Sequence, residues 1–333
     1  MTDRITLAHG NGGRFMRELV RDVFARHFGN PLLDIAADAV VLPVADSALL
    51  VTTDGFIVDP LEFPGGDIGS LAVHGTVNDL AVSGAIPRWL TLSFIIEEGF
   101  AIDTLERISA SIGRASIACG VKVVAGDTKV LPRGQGGGLT ISATGIGTRG
   151  HGGLLDMAQI RAGDSILVNG TVGDHGTAVL LARQAFGLHG DLRSDSASVL
   201  PFARAACALA GLRFMRDPTR GGIATVANEI SLATGLRVVL EEAALPLRAQ
   251  VRGVCEMLGY DPLYLACEGR VVAVVEPTRA ADVLEAWRGL PGGEQATLVG
   301  RVEVGRLGVV LRTRLGGERL LDELEDDPLP RIC

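Results

Sequence analysis

The chain has 333 residues, 47% of them hydrophobic and 21% charged, with a formal net charge of −8. That balance excludes wholesale disorder, and the acidic excess argues against a general nucleic-acid or anionic-membrane binder, which wants a basic face. Glycine accounts for 44 residues and aromatics for only 4%, so the core is expected to be mostly Ala, Val, Leu and Ile. No stretch reaches the ~18 unbroken apolar residues of a membrane span. The opening Met1-Thr2-Asp3-Arg4 lacks a signal-peptide core, and five cysteines without a CxxC pair fit a reducing cytoplasm.

In chain order, a Gly-rich opening, His9-Gly10-Asn11-Gly12-Gly13, leads into an amphipathic helix with Phe15, Leu19, Val23 and Phe24 on one face. Residues 39–44 and 49–53 predict a hairpin. Residues 68–83 predict a helix ended by Gly84 and Pro87, and 89–96 a strand. Asp103 with Glu106 predicts a capping box for a helix running to Cys119, with Gly120 just past its end. Strands at 122–125 and 139–144 complete a first unit. Residues 145–163 predict a linker with one short helical piece.

A second unit follows: strand 165–168, helices near 174–186, 198–210 and 222–233, strand 237–240, helix 248–258, strand 271–275, helix 278–288, and β-rich segments 297–304 and 307–313. Strand pairs mixed with helices favour α+β halves with largely antiparallel sheets over a doubly wound fold. The tail carries five acids in the six positions from Asp322, then Pro328-Leu329-Pro330-Arg331-Ile332-Cys333. Its two prolines predict an extended, non-helical arm.

The string Gly145-x-Gly147-x-x-Gly150 has the form of a dinucleotide fingerprint, but no long helix and no downstream acid follow it, so an interdomain loop is the better reading. A Walker A sequence is absent. More informative are aspartates in apolar or glycine-rich surroundings: Asp54, Asp59, Asp79, Asp127 with Lys129, and Asp217 before a helix. Singly each reads as a cap or turn acid. Together they suggest a hard-cation site of the Mg²⁺ type, which brings substrate phosphates with it, with helix N-termini after Asp217 and near Gly66 as phosphate donors.

Glu268 stands before an apolar strand, either as a surface acid paired with Arg270 or as a partly desolvated proton acceptor. Cys333 is either an idle terminal thiol or a carrier. The 12 residues from Asp322 reach ~40 Å when extended. Arg331 favours its thiolate and the terminal carboxylate opposes it.

The terminal Pro-Arg-Ile-Cys, His9–Gly13, Thr53-Asp54-Gly55 through Phe63-Pro64-Gly65-Gly66, Asn78-Asp79 through Gly84-Ala85, Gly126-Asp127-Thr128-Lys129-Val130 and Asp217-Pro218-Thr219-Arg220-Gly221-Gly222 closely resemble HypE. That is the hydrogenase-maturation family of the PurM-like (aminoimidazole ribonucleotide synthetase) ATP-binding superfamily. The resemblance runs from about residue 5 to 333. Asn11 stands where the family often has Ser, and Cys267 where Asn usually precedes the Glu.

The resemblance implies an α+β, PurM-like two-domain architecture: an N-terminal segment 1–34, a β-rich ATP-binding domain 35–150 forming a dimer barrel, an α/β sandwich 151–316, and a flexible tail 317–333. It implies an ATP-dependent carbamoyl dehydratase of the cytoplasm. Cys333 would accept a carbamoyl group from HypF, and the resulting nitrile would pass to iron on HypC–HypD as a cyanide ligand of a [NiFe]-hydrogenase.

By the same resemblance Asp38, Asp54, Asp79, Asp127 and Asp217 hold Mg²⁺-ATP, with Gly12, Gly13 and Thr128 in the nucleotide site. Lys129 and Glu268 take part in proton removal, and the protein is a homodimer. The alternatives are another PurM-like synthetase or kinase (aminoimidazole ribonucleotide or selenophosphate synthetase type) and a non-catalytic nucleotide-binding adaptor. The terminal Cys discriminates against the former.

Overall fold

The structure, a computed structural model, describes residues 13–19, 21–22, 35–37, 40–44, 47–150, 155–183, 187–188, 190–325 and 329–333. His9, Gly10, Asn11, Gly12, Asp38 and the Val23–Phe24 end of the first helix lie outside these residues. Gly13 is buried and precedes helix α1 (Arg14–Leu19).

The first sheet has the order β1-β2-β7-β5-β6. Strands β1 (Val40–Val44) and β2 (Ser47–Phe56) form the expected hairpin, closed where Val44 faces Ser47. A short ladder, β3 (Glu62–Phe63) with β4 (Gly66–Asp67), leads into α2 (Ile68–Val82), then β5 (Ala85–Glu97), α3 (Ile102–Cys119), β6 (Lys122–Leu131) and β7 (Leu139–Arg149). Only β5–β6 is parallel here, and α3 makes the crossover such a pair requires.

Helix α2 is buried along nearly its whole length because it lies between this sheet and the second unit. Its sequence is apolar on all sides for that reason. Gly145 lets it approach: a Cβ there would stand 2.6 Å from Thr76 Cγ2. Residues 145–149 are therefore strand rather than linker. Glycine there serves close helix–sheet packing and not a loop, which corrects the reading of that segment.

Helix α3 is capped at Ala101 without a side-chain bond. Asp103 instead accepts from Thr104 N and pairs with Arg107, so the expected capping box is not formed. Gly120 ends the helix at φ 70° as expected.

The second sheet, order β14-β13-β10-β12-β8-β11-β9, comprises β8 (Ser165–Val168), β9 (Leu212–Arg216), β10 (Arg237–Glu241), β11 (Val272–Val275), β12 (Thr297–Glu303), β13 (Gly308–Arg312) and β14 (Glu318–Leu320). All its pairs are antiparallel except β10–β13. Helices α4 (Asp174–Ala182), α5 (Leu200–Cys207), α7 (Ala249–Leu258) and α8 (Ala280–Arg288) contribute to one apolar cluster, and α6 (Gly222–Thr234) to the other.

The first cluster runs without a break from α2 and the first sheet into the second unit, so the two halves share a core. It also takes in Leu329 and Ile332 of the tail. The arm starts after β14 rather than at residue 317, and its end is docked.

Candidate active site

Three carboxyls converge where the two halves meet. Asp54 lies on β2 in the same alternation as Leu50, Thr52 and Phe56, which turns it toward the face that α2 covers. Asp217 ends β9 just before the turn into α6, and Glu268 enters β11. Burial pushes Asp217 up to about 6, relieved by Arg216 and reinforced by Asp54 and Glu229. Burial likewise raises Asp54, against the pull of Arg220, 3.7 Å away. Glu268 reaches about 8, through burial first and then the charges of Asp217, Asp195 and Asp54. One of its oxygens, Oε1, is buried without a hydrogen-bond partner among the described residues.

The Glu268 peptide is clamped on both sides. Asn78, buried in α2, donates from Nδ2 to the carbonyls of Glu268 (3.2 Å) and Ala197 (3.0 Å), while its Oδ1 accepts Val199 N–H. Asp195 accepts the N–H groups of Glu268 and Gly269, each at 3.3 Å. Gly269 has no room for a Cβ, which would meet Asp195 O at 1.9 Å. Cys267, whose Sγ accepts Gly173 N–H and whose own N–H bonds Pro218 O, ties this turn to α4 and to the loop after Asp217. The carboxyl is thus aimed by distant residues, and pairing of Glu268 with Arg270 is not what holds it. Arg270 reaches Thr171 O and Asp195 instead.

Into this pocket comes the tail. Leu329 and Ile332 are buried, and the Cys333 thiol lies close enough to Glu268 for each to shift the other's pKa. Arg183 donates to the carbonyls of Pro330, Arg331 and Asp59. Asp59 N–H bonds Arg331 O at 3.2 Å, and His175 bonds Ile332 O at 2.7 Å. Arg331 has φ 59°, an uncommon left-handed conformation for a side-chain-bearing residue. Its guanidinium reaches Gly137 O at 3.3 Å, away from the thiol. Burial raises the thiol well above its ordinary pKa; Arg220 opposes this, while Glu268 and Asp54 add to it.

Burying Leu and Ile contributes ~3–6 kcal/mol and the backbone bonds ~1 kcal/mol each. Ordering five residues costs ~5–10 kcal/mol. These terms offset one another to within a few kcal/mol.

Other residues singled out in the sequence stand elsewhere. Asp79 accepts from Thr52 Oγ1 at 2.7 Å between α2 and β2. Asp127, Thr128 and Lys129 lie on β6, exposed, with Asp127 and Lys129 paired at 3.0 Å. In register, Asp127 sits opposite Ser93, Ser93 opposite Ser142, and Ser142 opposite Gly55. Three strand spacings of ~4.8 Å put Asp127 about 14 Å from β2. Within one chain Asp127 and Lys129 therefore do not join the Glu268 pocket.

No group of three metal-ligating side chains forms among the described residues. The helix N-terminus near Gly66 is taken by Asp67, which caps Gly69 and Ser70 N–H. That of α6 carries no side-chain cap. Arg183, Ser194, Asp195 and His175 were not singled out from the sequence, because their partners are distant in the chain and no local pattern marks them; Asn78 lies in a motif of the resemblance but carried no role there.

Residues 36–149 match the family described as AIR synthase related protein, N-terminal domain, and residues 161–312 its C-terminal domain. The chain is 46% identical over 334 residues to the carbamoyl dehydratase HypE of Cupriavidus necator, covering 99% of this chain and 95% of that one. A HypE–HypF complex contains a chain of TM-score 0.87 at 40% identity, covering 92% of this chain and 99% of that chain. HypE in complex with ATP gives TM-score 0.82 at 44% identity, with 99% and 100% covered. Sequence, fold and the seated terminal cysteine agree: the chain belongs to the carbamoyl dehydratase HypE family of hydrogenase maturation enzymes, within the AIR synthase related proteins.

Proposed function

We propose that this protein dehydrates an S-carbamoyl group on Cys333 to an S-cyanate at the expense of ATP. The observation that carries the reading is the contact between the Cys333 thiol and Glu268, a buried carboxyl with a pKa near 8. The ionised fraction of a carboxyl with such a value accepts a proton efficiently near neutral pH.

An amide oxygen is a poor leaving group. Transfer of the γ-phosphoryl group of ATP to that oxygen makes it a good one. Phosphorylation leaves an O-phosphorylated imidate with the loss of one N–H proton; Glu268 takes the remaining N–H proton as the C–O bond breaks to release phosphate and the C≡N bond forms. Overall, S–C(O)NH₂ and ATP give S–CN, ADP, phosphate and a proton. The docked thiol is held protonated, so the carbamoyl group is accepted with the arm released, and the arm then returns with its cargo.

Mg²⁺ fits the donor set. Asp54 and Asp217 are hard oxygen ligands whose mutual repulsion a cation relieves, and Mg²⁺ commonly uses one or two carboxylates together with substrate phosphates. Asp54 and Asp217 would hold the ion, which would offset phosphate charge there. The uncapped N-terminus of α6 donates to the phosphates, and Gly12, Gly13, Asp38 and Asp79 complete the site by family analogy.

The homodimer is supported by β6, an edge strand exposed from Lys122 to Val130 with Val123, Val124 and Val130 uncovered. Such an edge invites pairing. A joint barrel puts Asp127, Thr128 and Lys129 at the subunit boundary, where Lys129 assists proton removal from the partner side.

HypF supplies the carbamoyl group, as the HypE–HypF complex of a relative suggests, and HypC–HypD receives the nitrile. The acidic net charge, with no described helix able to cross a membrane, fits a cytoplasmic enzyme without nucleic-acid or membrane partners. A synthetase or kinase of the aminoimidazole ribonucleotide or selenophosphate type would leave the seated thiol without use. Intact-mass analysis of the protein with HypF, a carbamoyl donor and ATP tests the reading. A carbamoyl adduct on Cys333 followed by a loss of ~18 Da supports it, and a persistent adduct with ATP present refutes it.

A further inference from the structure

A buried histidine that the chemistry above does not use stands where the tail enters. His175, in the first turn of α4, is 0% exposed, with its ring edge-on to Phe63 at 5.4 Å between centroids. Nε2 lies 2.7 Å from Ile332 O, and Nδ1 lies 2.8 Å from Ser194 Oγ. A carbonyl oxygen only accepts, so Nε2 carries the hydrogen. Burial keeps the ring below its ordinary pKa, more than the Asp195 charge and the Ile332 bond restore. Nδ1 is therefore a lone-pair acceptor for the Ser194 hydroxyl.

Ser194 Oγ accepts Ser196 N–H at 2.9 Å, and Ser194 N–H is bonded to Pro64 O at 2.7 Å. The hydrogens thus run one way, from Ser196 N–H through Ser194 and His175 to Ile332 O. Cys333 is the next residue. The same loop supplies Asp195, which holds the Glu268 N–H, so one segment sets both the height of the tail and the position of the carboxyl it meets.

We propose that His175, oriented by Ser194, is a positioning residue that reads the Ile332 backbone carbonyl and sets where the Cys333 sulfur meets Glu268. Because it recognises main chain, it acts on the arm whether or not the sulfur carries cargo. The inference rests on the carrier reading above, but its first test involves no carbamoyl chemistry.

In the full-length protein the alkylation rate of Cys333 by iodoacetamide is measured by peptide mapping, with the partly buried Cys207 as internal control. His175→Leu keeps apolar volume and removes the donor. Loss of one buried hydrogen bond is expected to raise Cys333 alkylation about tenfold at an unchanged Cys207 rate. His175→Gln, which offers an N–H donor, restores protection to within about threefold of the parent.

In single turnover on carbamoylated protein, the ATP-dependent loss of ~18 Da slows in His175→Leu and recovers in His175→Gln. Parent-like alkylation in His175→Leu overturns the proposal, and so does a His175→Gln variant as deprotected as His175→Leu. If His175→Leu does not fold, Ser194→Ala decides by the same readout: faster alkylation supports the relay and a parent-like rate overturns it. Protection that depends on His175 without any dehydration would refute the proposed function and leave the latch standing.

Discussion

The Cys333 thiol rests against the Glu268 carboxyl, joining the last residue of the chain to a buried acid 65 positions before it. The contact sets a terminal sulfur beside a carboxyl whose pKa burial pushes up to about 8. It also dictates how the site is to be tested.

Glu268→Gln keeps shape and hydrogen-bonding capacity but removes the base. The variant is expected to accept a carbamoyl group and then stall, the loss of ~18 Da slowing by about 10²–10⁴-fold. Intact-mass time courses check this; a parent-like rate removes Glu268 from the mechanism.

Cys333→Ala is expected to bind Mg-ATP with unchanged affinity while taking up no carbamoyl group. Titration calorimetry and intact mass report the two properties separately. A label persisting in the variant assigns acceptance to another residue.

Glu268 carries its proton up to about pH 8 in the folded protein, against an ordinary value of 4.5, and Asp217 up to about 6, against 3.8. Between those limits the folded state binds more protons than the unfolded one, so this part of the stability is present at low pH and lost as pH rises. The melting temperature is expected to fall from pH 5 to pH 8.5 in metal-free buffer. Glu268→Gln flattens the portion above pH 6. A profile unchanged by the substitution contradicts the assignment.

Asn78→Ala strips partners from two buried carbonyls and the Val199 N–H. A loss of about 2–4 kcal/mol in stability is expected, with dehydration slowed beyond what the unfolded fraction explains. Denaturant titration alongside single-turnover rates separates the two effects.

Val124→Asp with Val130→Asp places charge on the exposed edge strand. Light scattering is expected to show a shift from dimer to monomer with the circular dichroism spectrum preserved. A parent protein already monomeric at micromolar concentration rules out the proposed barrel.

Much of the fold was legible locally. Apolar runs at 165–168, 237–241 and 272–275 are strands because continuous Val and Leu suit a sheet covered on both faces, and Gly120 ends α3 because it alone takes φ 70° without strain. Asp54, Asp217, Glu268 and Cys333 were also visible, since acids in apolar settings and a terminal thiol are unusual by composition. Strands β9 and β14 and the strand at 145–149 were not, since a short edge pairing and a glycine packed against Thr76 look like loop until the partner is in place.

What the amino-acid order determined by itself was an acidic α+β chain with a set of chemistry-bearing residues and an extended cysteine arm. Only the tertiary structure decided that Asp54, Asp217 and Glu268 share one pocket, that Asp127 and Lys129 sit three strands away on an open edge, and that His175 grips the arm 157 residues along the chain. Local preference acts over a few residues. The pKa of a carboxyl and the seat of a tail depend on packing between segments far apart in sequence, and no short pattern encodes that.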